Sequence, residues 1–150
     1  MAVSAVINFG ENQRQVWNQP AGTGKSRTLI SLIYAFYKLT NKSKFNVYFA
    51  NQEQIDCDKR IFDELNRHLN SQGREVTISF NNKDTFTNSG DDSVLNLLDE
   101  ADYFLLDLGS FKVSQRAQFV GMTATPLKHG DVTMESRYLK EQLEVTIFDT

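Results

Sequence analysis

The chain is expected to fold as one α/β domain, a central and mostly parallel sheet flanked by helices. Three observations predict this. Short β-rich apolar runs alternate with segments whose apolar residues recur at three- and four-residue spacing, in the order of βαβ units. A glycine-rich turn separates the first such strand from the first such helix. The length of 150 residues, with 40% hydrophobic and 23% charged residues, suits a single domain with its own core.

Taken in order, a short strand over Gln15 to Asn18 leads into Gln19-Pro20-Ala21-Gly22-Thr23-Gly24-Lys25-Ser26. A helix follows, with Leu29, Ile30, Leu32, Ile33 and Phe36 on one sheet-facing stripe. Lys38, Lys42 and Lys44 close it, either as cations at the negative end of the helix dipole or as a solvated basic surface. Phe45, Val47, Tyr48 and Phe49 make Lys44 to Ala50 a second, buried strand. Ile61, Phe62, Leu65 and Leu69 mark a second helix, with Asp56 and Asp58 near its start. Gly73 ends that pattern, and Val76, Ile78 and Phe80 alternate as the next strand. Asn81 to Asp92 is polar and reads as a surface loop or a short disordered connection. Val94 to Leu98 is an apolar strand that runs into Asp99-Glu100-Ala101-Asp102, and Phe119 to Met122 is another that ends at Thr123-Ala124-Thr125-Pro126. Met134 to Leu143 reads as a helix, and Val145 to Phe148 as a closing strand. Tyr103, Phe104, Leu105 and Leu106, together with Phe111 and Phe119, are expected in the core.

Composition removes several classes of function. Sixteen Lys and Arg against nineteen Asp and Glu give a net charge of −3, so no broad basic face is expected to hold nucleic acid by charge alone. No apolar run approaches the roughly 18 to 20 residues that cross a bilayer, and Met1 to Asn8 lacks the basic leader and apolar stretch of a signal peptide. A soluble protein of the cytoplasm or nucleus is expected. The single cysteine, Cys57, allows no internal disulfide and has no nearby cationic cluster to activate it. His68 and His129 lie too far apart in sequence to suggest a structural metal.

Two segments carry chemistry. Between a strand and a helix, Gly22-Thr23-Gly24-Lys25-Ser26 has the parts that a nucleoside triphosphate requires. The glycines let backbone N–H groups approach phosphates, the helix start offers positive potential, Lys25 reaches the β and γ phosphates, and the Ser26 hydroxyl suits Mg²⁺. The strict phosphate-loop string requires glycine where this chain has Gln19. Leu97-Leu98-Asp99-Glu100-Ala101-Asp102 places carboxylates at the carboxyl end of an apolar strand, where open parallel sheets bind ligands. Asp99 suits Mg²⁺, held through water, and Glu100 suits the orientation or deprotonation of a water that attacks the γ-phosphate. The structural alternative is a helix that begins at Asp99, where acidic residues complement the dipole.

In the order Ala21-Gly22-Thr23-Gly24-Lys25-Ser26, Asp99-Glu100-Ala101-Asp102 and Thr123-Ala124-Thr125, the chain resembles the first RecA-like ATPase domain of superfamily 2 DEAD/DEAH-like helicases, over roughly Gln15 to Pro126. The resemblance implies a three-layer RecA-like P-loop fold that binds ATP and Mg²⁺. It also implies a motif III strand lying between the other two. Thr123 and Thr125 would then report the γ-phosphate state through Asp102. For these threonines a capped strand end is the structural alternative.

The departures from the family are specific. Too few residues precede Lys25 for the upstream glutamine motif that reads adenine, and Gln13 and Gln15 stand too close to the loop. Trp17 can stack on a base or belong to the core. Ala50-Asn51-Gln52-Glu53 falls where the family contacts nucleic-acid backbone, yet lacks the usual arginine, and no further such motif stands between Phe80 and Val94. The family completes its site with an arginine finger from a second RecA-like domain, for which these 150 residues leave no room. That domain, or a partner chain, is expected to supply it; Arg116 and Arg137 read as surface arginines. The first expectation is therefore an ATP-hydrolysing motor domain, weak or inactive alone, that remodels nucleic acid, RNA ahead of DNA. Leu98-Asp99-Glu100-Ala101-Asp102 with Asp107, and Gly121-Met122-Thr123-Ala124-Thr125, also look like the nucleotide-binding domain of SecA-type protein translocases. A third reading is a non-enzymatic module whose partner surface changes on nucleotide binding.

Overall fold

In a computed structural model, which describes residues 1–19, 25–49, 52–81, 93–106, 117–124 and 134–149, six strands form one sheet in the order β3-β2-β4-β5-β1-β6. The strands are β1 (Arg14–Asn18), β2 (Lys44–Tyr48), β3 (Thr77–Asn81), β4 (Val94–Leu98), β5 (Phe119–Thr123) and β6 (Thr146–Asp149). Every neighbouring pair runs parallel. The helices are α1 (Ala2–Asn8), α2 (Lys25–Leu39), α3 (Gln52–Asn70), α4 (Ala101–Leu106) and α5 (Met134–Glu141).

Side-chain alternation along the strands sends successive residues to opposite faces, and each face has its own core. On one face Trp17, Val47, Leu95, Leu97, Val120 and Met122 meet Leu29, Leu32, Ile33 and Phe36 of α2 and Phe62 and Leu69 of α3. On the other, Val16, Tyr48, Leu98 and Phe119 meet Phe104 and Leu105 of α4 and Leu139 of α5. The molecule is thus a three-layer α/β domain, and its sheet is entirely parallel. Burial pushes the Tyr48 phenol well above its ordinary pKa, and its ring packs edge-on against Phe104 with centroids 6.0 Å apart. Polar groups inside the sheet are paired. Asn96, fully buried, accepts from Asn46 Nδ2 at 3.3 Å and donates through Nδ2 to the Gln118 carbonyl at 3.1 Å.

Three elements differ from expectation. α1 has no counterpart in the periodicity reading, because seven residues are too short to show a helical stripe. It packs on α2, with Phe9 edge-on to Phe36 at 5.1 Å, and its Ala5 carbonyl accepts from Gln15 Nε2 at 2.9 Å. The second helix begins at Gln52, so Glu53 is its first-turn acid, and Asp56 and Asp58 lie further in. Lys42 is not a solvated cation: it is 3% exposed, with Nζ 3.2 Å from the Val94 carbonyl and 5.2 Å from the Phe9 ring centroid. Lys38 stands in the last turn of α2 as expected, and beyond it Arg74 stacks on Tyr37 and donates to the carbonyls of Thr40 and Lys42, both at 3.0 Å. Gly73, at φ +96°, takes the left-handed conformation that ends α3.

At Gly121, β5 and the start of α4 approach closely. A Cβ on Gly121 would stand 2.6 Å from Ala101 Cβ and 3.3 Å from Leu98 Cβ. Gly121→Ala is therefore expected to cost about 1 to 3 kcal/mol in chemical denaturation. Pairing it with Ala101→Gly should recover most of that loss, whereas equal destabilisation in single and double variants would contradict the contact.

Candidate functional site

The carboxyl ends of β4, β5 and β1 lie side by side, since Leu98 pairs with Gly121 and Asn18 with Thr123. In sequence the three motifs follow these ends: the glycine-rich segment after β1, the acidic segment after β4 and the threonine segment at the end of β5. The expected position of the motif III strand, between the other two, is the position of β5. Ala21, Gly22, Thr23, Gly24 and Thr125 fall outside the described residues, as do Arg116 and Phe111. Lys25 opens α2.

The two flanks of the glycine-rich turn are tied to each other and to β5. Gln19 donates its backbone N–H to the Thr123 carbonyl at 2.8 Å, which extends the β1–β5 ladder by one bond. Its side-chain Nε2 donates to Thr28 Oγ1, also at 2.8 Å, across the first turn of α2. Gln19 is 8% exposed, so the residue that departs from the strict glycine pattern is a buried strut between strand and helix. Ser26, one residue into α2, donates its hydroxyl to Asp58 Oδ2 of α3 at 2.7 Å.

Across β5, the acidic segment is divided between a turn and a helix. Asp99 follows β4, is 8% exposed and donates its N–H to the Tyr48 carbonyl at 3.0 Å. Glu100 has φ +50°, a left-handed conformation that costs a residue with a Cβ roughly 1 to 2 kcal/mol. Asp102 lies in the first turn of α4 and accepts from Thr123 Oγ1 at 3.0 Å. The structure thus joins Asp102 to Thr123, and places Asp99 and Glu100 in the turn that precedes α4 rather than in its first residues.

Other sequence candidates have structural employment. Trp17 is 5% exposed, stacks on Phe148 with centroids 4.5 Å apart, and donates Nε1 to Gln15 Oε1 at 2.8 Å. Gln15 Nε2 in turn donates to the Ala5 and Asn12 carbonyls at 2.9 and 3.0 Å. Both belong to the core. Gln13 accepts from Gln118 Nε2 at 3.2 Å at the amino edge of the sheet, the edge opposite the motifs. Arg137 is exposed on α5, and Cys57 is an exposed free thiol on α3. In the segment aligned with a backbone-contacting motif, Glu53 is exposed in the first turn of α3. Phe104, Leu105 and Phe119 are buried as expected.

Asp58 escaped the sequence reading as a site residue, although a signal was present. It shares a helical face with Phe62, Leu65 and Leu69, so a carboxylate interrupts an apolar stripe. Such a group is expected to face a specific partner rather than solvent.

The donors on this edge are oxygens, a serine hydroxyl and a buried carboxylate, which suit a hard cation such as Mg²⁺. Among the described residues no group of three or more His, Cys, Asp or Glu converges to hold a metal by itself. A cation that shares its coordination with phosphates and water fits that donor set. No described helix is long and apolar enough to cross a membrane. The chain matches no protein-family model, and no curated protein matches it significantly.

Two substitutions test the ties around β5. Thr123→Val keeps the shape and deletes the donor to Asp102, and is expected to lower stability by about 1 to 2 kcal/mol in urea denaturation. Gln19→Ala should cost about 1 kcal/mol and speed amide exchange in the first turn of α2. Unchanged exchange there would mean that the strut does not hold the turn.

Proposed function

We propose that the chain is the ATP·Mg²⁺-binding, first RecA-like domain of a superfamily 2, DEAD-like helicase motor. In this reading ATP hydrolysis is coupled to remodelling of nucleic acid, RNA ahead of DNA, with a second RecA-like domain or a partner chain contributing an arginine finger. The observation that supports the reading is that the strands preceding the three motifs, β1, β4 and β5, are adjacent and parallel with their carboxyl ends at one edge, and that Thr123 of the middle strand is bonded to Asp102.

Each residue then has a defined task. Lys25 and the loop N–H groups neutralise and orient the β and γ phosphates. Ser26 and Asp99 would hold a Mg²⁺, Asp99 through water, and that ion would supply charge neutralisation to the triphosphate. Glu100 orients the attacking water and accepts its proton as the water oxygen bonds to the γ-phosphorus and the bond to the β-phosphate oxygen breaks, releasing ADP. Asp102 and Thr123 link that event to β5, through the hydrogen bond between them at the strand's carboxyl end.

Lys25→Ala is expected to weaken ATP binding by roughly 10- to 100-fold, the loss of a charged hydrogen-bond donor, as read by calorimetry. Glu100→Gln should bind ATP as the parent does while turnover falls by about 10²- to 10⁴-fold. Equal affinity in the Lys25 variant and the parent would remove the nucleotide assignment. Turnover indifferent to single-stranded RNA and DNA would remove the nucleic-acid half of the reading and favour a motor acting on polypeptide.

A further inference from the structure

The Ser26 hydroxyl has one proton to donate and two lone pairs to offer. In this structure the proton is committed: Oγ donates to Asp58 Oδ2 at 2.7 Å, a length typical of a hydroxyl bonded to a carboxylate. Asp58 sits on the inward face of α3, 8% exposed, on the stripe that carries the buried Phe62 and Leu69. It therefore approaches Ser26 from the helical layer, whereas the strand ends bearing Asp99 and Thr123 belong to the sheet.

We propose that Asp58 is a positioning residue that turns the Ser26 oxygen into a ligand for a nucleotide-bound divalent cation. This rests on the ATP·Mg²⁺ reading above. With its proton fixed on Asp58, Ser26 has only lone pairs left to offer a ligand and cannot donate to a phosphate oxygen instead. The negative charge of Asp58 raises electron density on Oγ and opposes an uncompensated triphosphate nearby, so both effects favour the cation-bound nucleotide over the bare one. The same logic governs metal-ligating histidines oriented by a carboxylate behind them.

The test is calorimetric titration of the full chain with ATP, once with Mg²⁺ and once with a chelator, for the parent, Asp58→Ala and Asp58→Asn. Asp58→Ala is expected to weaken Mg²⁺-dependent binding by about tenfold while leaving chelated ATP within about twofold of the parent. Asp58→Asn, which keeps an acceptor for the hydroxyl but loses the charge, should show a smaller loss in the same direction. It also carries the test should the alanine variant fail to fold, its integrity checked by the melting temperature without nucleotide. Adding Ser26→Ala to Asp58→Ala should cost less Mg²⁺-dependent affinity than Ser26→Ala costs alone, because the two residues act through one oxygen. Equal losses with and without Mg²⁺ would reduce Asp58 to a structural contact, and no loss in either would remove its role; each overturns this inference while leaving the nucleotide site standing. A parent that binds ATP under neither condition overturns both.

Discussion

β5 constrains the molecule from its middle. All five of its residues are buried, and it is hydrogen-bonded to β4 on one side and β1 on the other. Its residues therefore fix how far apart the ends of β1 and β4 can stand. Gly121 sets the distance to α4, because the missing side chain is what lets Ala101 rest against the strand. Thr123 sets the direction of the same helix through Asp102, and its carbonyl receives the chain leaving β1 at Gln19. One strand end thus organises both neighbours.

The two cores divide the remaining work. The α1–α2–α3 face is rich in aromatic contacts, among them Phe49, Phe62 and Phe80, whose rings lie between 5.4 and 6.3 Å apart by centroid. That packing carries α3 against the sheet, and with it the carboxylate of Asp58. On the opposite face α4 is only six residues long and is held by Phe104 and Leu105. A short helix with little hydrogen bonding of its own depends on such anchors. Glu100 stands at the junction, in a conformation the local sequence alone would not choose, so the surrounding contacts must hold it there.

The strands were legible because central parallel strands are buried on both sides and read as unbroken apolar runs. Val94 to Leu98 and Phe119 to Met122 are of this kind. The position of the acidic segment was legible because parallel strand order alone brings the carboxyl ends of β4, β5 and β1 to one edge. What the sequence concealed is tertiary. Gln19 reads as a defect in a glycine pattern until Thr28 is seen as its partner. Asp58 reads as a charge near a helix start until α2 is placed beside α3. Lys42 reads as solvated until Phe9, on a helix too short to announce itself, closes over it. In each case the deciding partner stands on a different element of the fold, beyond the reach of local pattern.

The pairing of β1 has a consequence for how this domain comes into being. Arg14 meets Phe119, and Gln15 meets Thr146, so the earliest strand of the chain takes both neighbours from its far end. During synthesis β2, β3 and β4 can associate among themselves, while β1 must wait for its strand partners until β5 and β6 emerge. The strand that precedes the glycine-rich segment is thus the one whose neighbours arrive latest, and this part of the sheet closes only after the C-terminal strands exist.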